Sequence, residues 1–217
     1  MQSLFWRKLC LSAFILTGLI AGIGAAPTCA QTRHAAEVSA IVGEVLATGP
    51  TVTVWPLALR SKVSVGDTIV TAGGARVELL FVDGSKMTLG ESTQIKVSRY
   101  EVAGDERHAF FELMRGLTRS MVAKTSEKSS FEIQTPTATA AVRSTVFCVE
   151  YTPAKGTEGV VVEGSLVVTS RGGEVMRAVL DPGFGTTVAP GQAPVAPEVW
   201  PVARIDAMRT RAIIRTP

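Results

Sequence analysis

The chain has 217 residues, 22 basic and 19 acidic side chains, and a formal net charge of +3. Lys and Arg are scattered, and no tract interleaves cations with aromatics, so the electrostatic footprint of a nucleic-acid binder is missing. The length suits one ordinary domain with a core of its own and does not require two.

Met1 to Lys8 carries Arg7 and Lys8 and no acid; an 18-residue apolar run, Leu9 to Ala26, follows, and then Pro27, Thr28, Cys29 and Ala30. This order reads as a Sec-type secretory signal peptide over 1–30, cleaved after Ala30. The competing reading is a retained anchor, because a stretch of this length lies at the lower limit for spanning a bilayer. Both readings place the rest of the chain outside the cytoplasm. Ala26-Pro27-Thr28 before Cys29 lacks the leucine of a lipid-attachment box, so lipidation is not expected. A mature chain from Gln31 would hold 20 cations against 19 acids, with Cys148 as its one cysteine. No internal disulfide could then form, and the fold would rest on its core.

Residues 31–41 read as an N-terminal extension. From Val38 to Val188 the chain breaks into short runs rich in Val, Ile, Thr and Phe, bounded by Gly, Asp, Ser or Pro. Such runs predict strands and tight turns, hence an all-β fold. ARVELLFV (75–82), QIKVSRY (94–100), HAFFELM (108–114), SFEIQT (130–135), AVRSTVFCVEY (141–151) and GVVVEGSLVVTS (159–170) are the clearest. In the first of these, Val77, Leu79 and Phe81 share one face, while Leu80 and Val82 make the other apolar too; that pattern predicts a strand covered on both faces. Cys148 alternates with Val146 and Glu150, and reads as a small buried hydrophobe rather than a reactive thiol. On the same reading Val146→Asp would bury an unpaired charge. Weak echoes around Gly43, Gly116 and Gly164 fit either a solenoid-like coil or two stacked sheets. In the Pro-rich tail, 190–217, only Arg204 to Ile214 has helical spacing, with Ile205, Met208 and Ala212 on one stripe; it predicts a short C-terminal helix.

Catalytic chemistry is not visible. The histidines are His34, read as part of a frayed end, and His108, read as an exposed turn residue after the polar stretch Gly104-Asp105-Glu106-Arg107. Two isolated histidines and one cysteine cannot build the usual four-ligand zinc site. No nucleophile elbow, zinc-protease pair or phosphate loop occurs. Asp67, Asp83 and Asp181 each sit beside Gly or Pro, where Asp serves local backbone hydrogen bonds. Trp55-Pro56 and Trp200-Pro201 read as core caps or as anchors for the tail. No catalytic, metal or cofactor-binding residue is therefore predicted.

VGDTIVTAGGARVELLFVDGSKMTLGESTQIKV, LMRGLTRSMV, FEIQTPTATAAVRSTVFCVEY and VVVEGSLVV, in that order, resemble the FecR-type periplasmic domain over about Val42 to Ala189. The resemblance implies an all-β domain, 42–189, in the periplasm. In the founding members the domain receives a signal from an outer-membrane iron-siderophore receptor and passes it through a membrane helix to a segment controlling a sigma factor. Here about eight residues precede the apolar segment, so a cytoplasmic sigma-binding segment is not expected; nor is a receptor-facing second domain after Ala189. Ser144 stands where the family reads Gly, which would carry a steric cost of about 1 kcal/mol if the site needs a left-handed backbone. Arg143 is expected either to reach solvent or to pair with Glu150 or Glu163. The expected function is a non-enzymatic binding or signal-relay module, its contact candidates Arg143, Glu163 and Trp55. Its partner would be another envelope protein, with an envelope glycan as the alternative, engaged at a sheet edge or loop; membrane contact would require a retained leader. The other readings are a structural or assembly component of the envelope and, more remotely, a glycan hydrolase.

Overall fold

Side chains alternate between buried and exposed along most of the strands, the signature of sheets with one face turned to a core. A computed structural model describes residues 34–172 and 176–214; the expected signal peptide, 1–30, lies outside them. Sheet I contains, in spatial order, β4 (Lys62–Ser64), β1 (His34–Val42), β6 (Arg76–Phe81), β7 (Lys86–Leu89), the second part of β9 (Glu106–Met121), β12 (Val146–Thr152), β13 (Gly156–Glu163), β16 (Phe184–Val188) and β17 (Glu198–Val199). Sheet II contains β3 (Val54–Pro56), β2 (Val45–Thr48), β5 (Thr68–Thr71), β8 (Gln94–Ala103), the first part of β9, β10 (Ser130–Gln134), β11 (Ala138–Val142), β14 (Leu166–Ser170) and β15 (Arg177–Leu180). Among these pairings β9 with β10 is parallel and the others are antiparallel. The described residues form an all-β fold with one short helix.

Strand β9 joins the sheets, and Gly116 is where it changes allegiance. Arg115 pairs with Gln94 of β8, whereas Gly116 pairs with Tyr151 of β12. Gly116 has φ +93°, and a Cβ there would stand 2.5 Å from the Thr93 Cα. Only glycine meets both demands.

The inner faces enclose one core. Phe81 and Phe147 from sheet I meet Tyr100, Phe111 and Phe131 from sheet II in a continuous file, with centroids 4.6 Å apart for Phe81 and Tyr100, 5.4 Å for Phe81 and Phe111, 5.0 Å for Phe111 and Phe131, and 6.3 Å for Phe131 and Phe147. Burying each such ring stabilises the fold by about 1.5–3 kcal/mol. Ala138, Ala140 and Val142 give β11 a small inner face, and the buried hydroxyls of Thr135 and Thr137 both lie 2.6 Å from that of Thr157. The run TPTATAAV is small because it is pressed against a filled interior. The two architectures left open by the sequence are reconciled: two sheets face each other, and the chain deals its strands to them by turns.

Helix α1 (Val202–Arg211) confirms the short C-terminal helix and shows its job, which is to cover the outside of sheet I. Leu117, Cys148 and Val160 form an apolar strip there, closed by Trp200, Met208 and Ala212. Trp200, 2% exposed, packs over Gly185 and carries the Arg204 guanidinium 3.5 Å from its ring centroid. Arg211 grips Glu150 through two hydrogen bonds of 2.6 and 2.7 Å, Arg204 reaches Glu158 at 2.6 Å, and Arg76 Nε donates to the Arg211 carbonyl at 2.8 Å.

Double covering is local to that strip, and two expectations change with it. Leu80 and Val82 of the ARVELLFV run are 40% and 63% exposed, because α1 does not extend over them. Val146 is only half-buried, pointing to the uncovered part of the same face, so Val146→Asp would not sink a charge into the core; Phe147 and Val149 are the buried neighbours. Residues 34–41, expected to form an extension, belong to β1 in sheet I from His34 onward. His34 is not frayed: its Nδ1 shares a 3.2 Å hydrogen bond with Ser64 Oγ. No helix among the described residues is long and apolar enough to cross a membrane.

Candidate functional site

Alternation along β9 puts Arg107 in phase with Ala109, Phe111 and Leu113, on the inner face, and its side chain is 0% exposed. A buried guanidinium is tolerated when its charge is paired and its terminal N–H groups find acceptors, and both hold for Arg107 although its buried Nε has no partner among the described residues. Nη1 donates to Asp83 Oδ2 at 2.8 Å, to the Ala123 carbonyl at 3.1 Å and to Ser85 Oγ at 3.3 Å; Nη2 donates to the Arg143 carbonyl at 2.8 Å. The guanidinium carbon lies 5.4 Å from the Phe131 centroid. Asp83 also accepts from Tyr100 Oη at 2.5 Å and from the backbone N–H and hydroxyl of Ser85 at 2.9 and 2.8 Å. Burial by itself would push the Asp83 carboxyl up, but the donors Tyr100, Arg107 and Ser85 outweigh it and hold the carboxyl below its usual range. Burial, with Asp83 alongside, drives the Tyr100 phenol well above its ordinary range, so it stays a donor.

This cluster ties five segments together: the β6–β7 turn, β8, the start of β9, the β9–β10 connection at Ala123 and the β11–β12 loop. The last is held by its backbone, so residues 143–145 are fixed from beneath while Arg143 and Ser144 stay exposed. Gly164 clamps the loop from the side. Its φ is +89°, and a Cβ would come within 2.6 Å of the Ser144 carbonyl. Thr145 Oγ1 donates to the Ser165 carbonyl at 2.9 Å.

The fixed loop is a ridge between two open grooves. The first, about 460 Å³, lies at the end of sheet I and includes Lys86, Met121, Val146 and Glu163. The second, about 590 Å³, lies at the end of sheet II and includes Ser130, Ala141, Arg143 and Arg177. Ser144 and Thr145 line both. Such a ridge can present side chains to a ligand in a fixed geometry.

Of the contact candidates, Arg143 and Glu163 come to opposite sides of this ridge. They form no ion pair with each other, and Arg143 makes none among the described residues; Glu150, its other expected partner, is held by Arg211. Trp55 is remote, half-buried on β3 and packed on the core edge. Ser144 is not among the residues with positive φ, so the expected backbone cost does not arise; the crowding falls on Gly164. His108 is half-buried within β9 rather than exposed in a turn, its Nδ1 3.2 Å from Ser130 Oγ. Burial pushes the Cys148 thiol up to about 12, as expected of an inert cysteine. Asp67 does accept its local backbone bond, from Ser64 N at 2.8 Å. Among the described residues no group of three or more His, Cys, Asp or Glu side chains could hold a metal ion.

The Arg107 cluster is what sequence reasoning missed. The sequence places Arg107 in a polar turn and Asp83 beside a turn glycine, whereas the two-residue period of β9 puts Arg107 in phase with Ala109 and Phe111. The sheet edges also differ from an inviting template. β4 has 3 residues, β17 has 2, β15 has 4, and β3 has 3 and ends on Pro56. Short edges closed by proline discourage strand addition.

The FecR protein family model matches residues 67–167, a span that includes Asp83, Arg107, Arg143 and Glu163. No curated protein matches the chain. Two crystal structures of a candidate anti-sigma factor from Parabacteroides distasonis ATCC 8503 share the fold: the 1.65 Å structure at TM-score 0.51 and 21% identity, covering 64% of this chain and 63% of that one, and the 2.50 Å structure at TM-score 0.52 and 20% identity, covering 64% and 62%. The present chain thus spans less than two thirds of the structures it matches. The buried anchor, the ridge and both grooves lie largely within the segment, residues 67–167, that is similar to the FecR protein family.

Proposed function

We propose that this protein is a non-enzymatic signalling module of the periplasm that binds another envelope protein through the ridge at Arg143, Ser144 and Thr145. The observation that carries the reading is the loop itself: exposed at the side chains of Arg143 and Ser144, lined by open grooves on both sides, and fixed through its backbone by a fully buried arginine. Holding a recognition loop in one conformation lowers the entropy lost on binding. The FecR match over 67–167 and the fold shared with a candidate anti-sigma factor support a regulatory role. Protein recognition at a fixed loop also requires none of the reactive groups whose motifs the sequence lacks.

A photo-cross-linking residue placed at Ser144 of the full chain, expressed in a bacterium with two membranes, tests the reading. A discrete protein adduct is expected, absent when the same residue replaces Lys62 on β4. Adducts spread over bulk envelope material would favour the structural component instead. Hydrolysis of peptidoglycan that one Asp or Glu substitution abolishes would favour the hydrolase.

A further inference from the structure

The two grooves differ in charge, and the difference selects an occupant. On the sheet I side Lys86 and Glu163 are both present, so the lining is of mixed sign. On the sheet II side the lining holds Arg143 and Arg177 and, among the described residues, no acidic side chain. Neither arginine makes an ion pair among the described residues, whereas Arg99, Arg107, Arg204, Arg209 and Arg211 each have a carboxylate.

The floor of that groove is low. Ala141 and Val167 are register partners on β11 and β14, and their short side chains leave space that the longer arginines border. The hydroxyls of Ser144 and Ser165 also line it and make no side-chain hydrogen bond among the described residues, so they are free to donate. Through Ser130 the groove continues into a second depression of about 280 Å³, which includes Arg99, His108, Phe110 and Glu132. The furrow therefore has room for more than one residue. Planar guanidinium groups meet carboxylates through paired N–H donors, and serine hydroxyls can complete the remaining acceptor sites.

We infer that this furrow takes an extended acidic segment of the partner protein, with Arg143 and Arg177 gripping its carboxylates beside the Ser144 and Ser165 hydroxyls. The inference rests on the protein-binding reading above and adds the chemistry of the segment recognised. It also makes Arg143 a determinant of specificity while its backbone remains structural.

The test uses the full chain and a fluorescently labelled peptide of alternating Glu and Ser, followed by anisotropy at low and physiological salt. Saturable binding is expected, weakened about tenfold or more by Arg143→Glu and by Arg177→Glu and unchanged by Lys62→Glu. Both arginine variants should melt like the parent, since the Arg143 side chain is exposed and Arg107 holds only its carbonyl. The inference is overturned by an absence of saturable binding, by equal loss in Lys62→Glu, or by complete displacement when inorganic phosphate matches the peptide's carboxylate concentration. If the Ser144 cross-link persists in the double variant Arg143→Glu/Arg177→Glu, acidic recognition falls and the partner reading stands. If the parent gives no discrete cross-link, the partner reading itself falls.

Discussion

Arg107 and Asp83 are worth more to this protein as a pair than either is alone. Removing the cation leaves a carboxylate 3% exposed with its charge unmet, a loss of about 3–5 kcal/mol. The anion carries a pH signature. Its carboxyl is held below the usual range in the folded state, so its contribution is complete above the unfolded value, near pH 4, and is lost as pH falls through the lower folded value. Urea denaturation at pH 7 and in steps below pH 4 should show the gap between parent and Asp83→Asn narrowing with acid; a constant gap would mean that the carboxylate charge is not what the pocket uses. Local reading recovered part of this residue's role. Asp83 does accept from the Ser85 backbone, as a turn aspartate should, but its burial depends on Tyr100 and Arg107, which are 17 and 24 positions away. Turn chemistry is encoded within a few residues, and a charge pair across the core is not.

Among the elements, α1 and β9 were legible to different degrees, for related reasons. The helix was readable because Ile205, Met208 and Ala212 recur at helical spacing; what they would cover was not, since the strip of Leu117, Cys148 and Val160 is assembled from three strands. The sequence shows β9 as the strand HAFFELM and a separate echo around Gly116, because that glycine punctuates a run that is in fact continuous over 16 residues. The glycine marks a change of sheet rather than an end. Trp200 is the anchor of α1, and Trp200→Ala should cost about 3–5 kcal/mol. Its more specific consequence concerns Cys148, whose thiol is buried beneath α1 and pushed up to about 12. Under native conditions a maleimide should modify Cys148 slowly in the parent and much faster in Trp200→Ala. Equal rates would show that the helix does not shield the strip.

At the scale of the molecule, composition, turn residues and strand alternation were sufficient for the all-β class, because each is a local property. The choice between coil and stacked sheets was not available, since it depends on which strands pair, and those partners are far apart in the chain. Sheet II pairs β5 with β8, for example, across the hairpin β6–β7 that belongs to sheet I. One core runs between the sheets and includes residues from β1 to β16. Thermal unfolding should accordingly be a single transition, with coincident curves from tryptophan fluorescence, which reports Trp55 at one edge and Trp200 near the other, and from far-UV circular dichroism. Separated midpoints would show that the sheets melt independently.

The place of β9 in both sheets also fixes a direction of assembly. On each sheet the strands β1 to β8 lie to one side of it and β10 to β17 to the other. The polypeptide is thus a wall raised from a central post: the first half can close against β9 before the second half exists, and β9 then offers its remaining flank as the template for everything that follows.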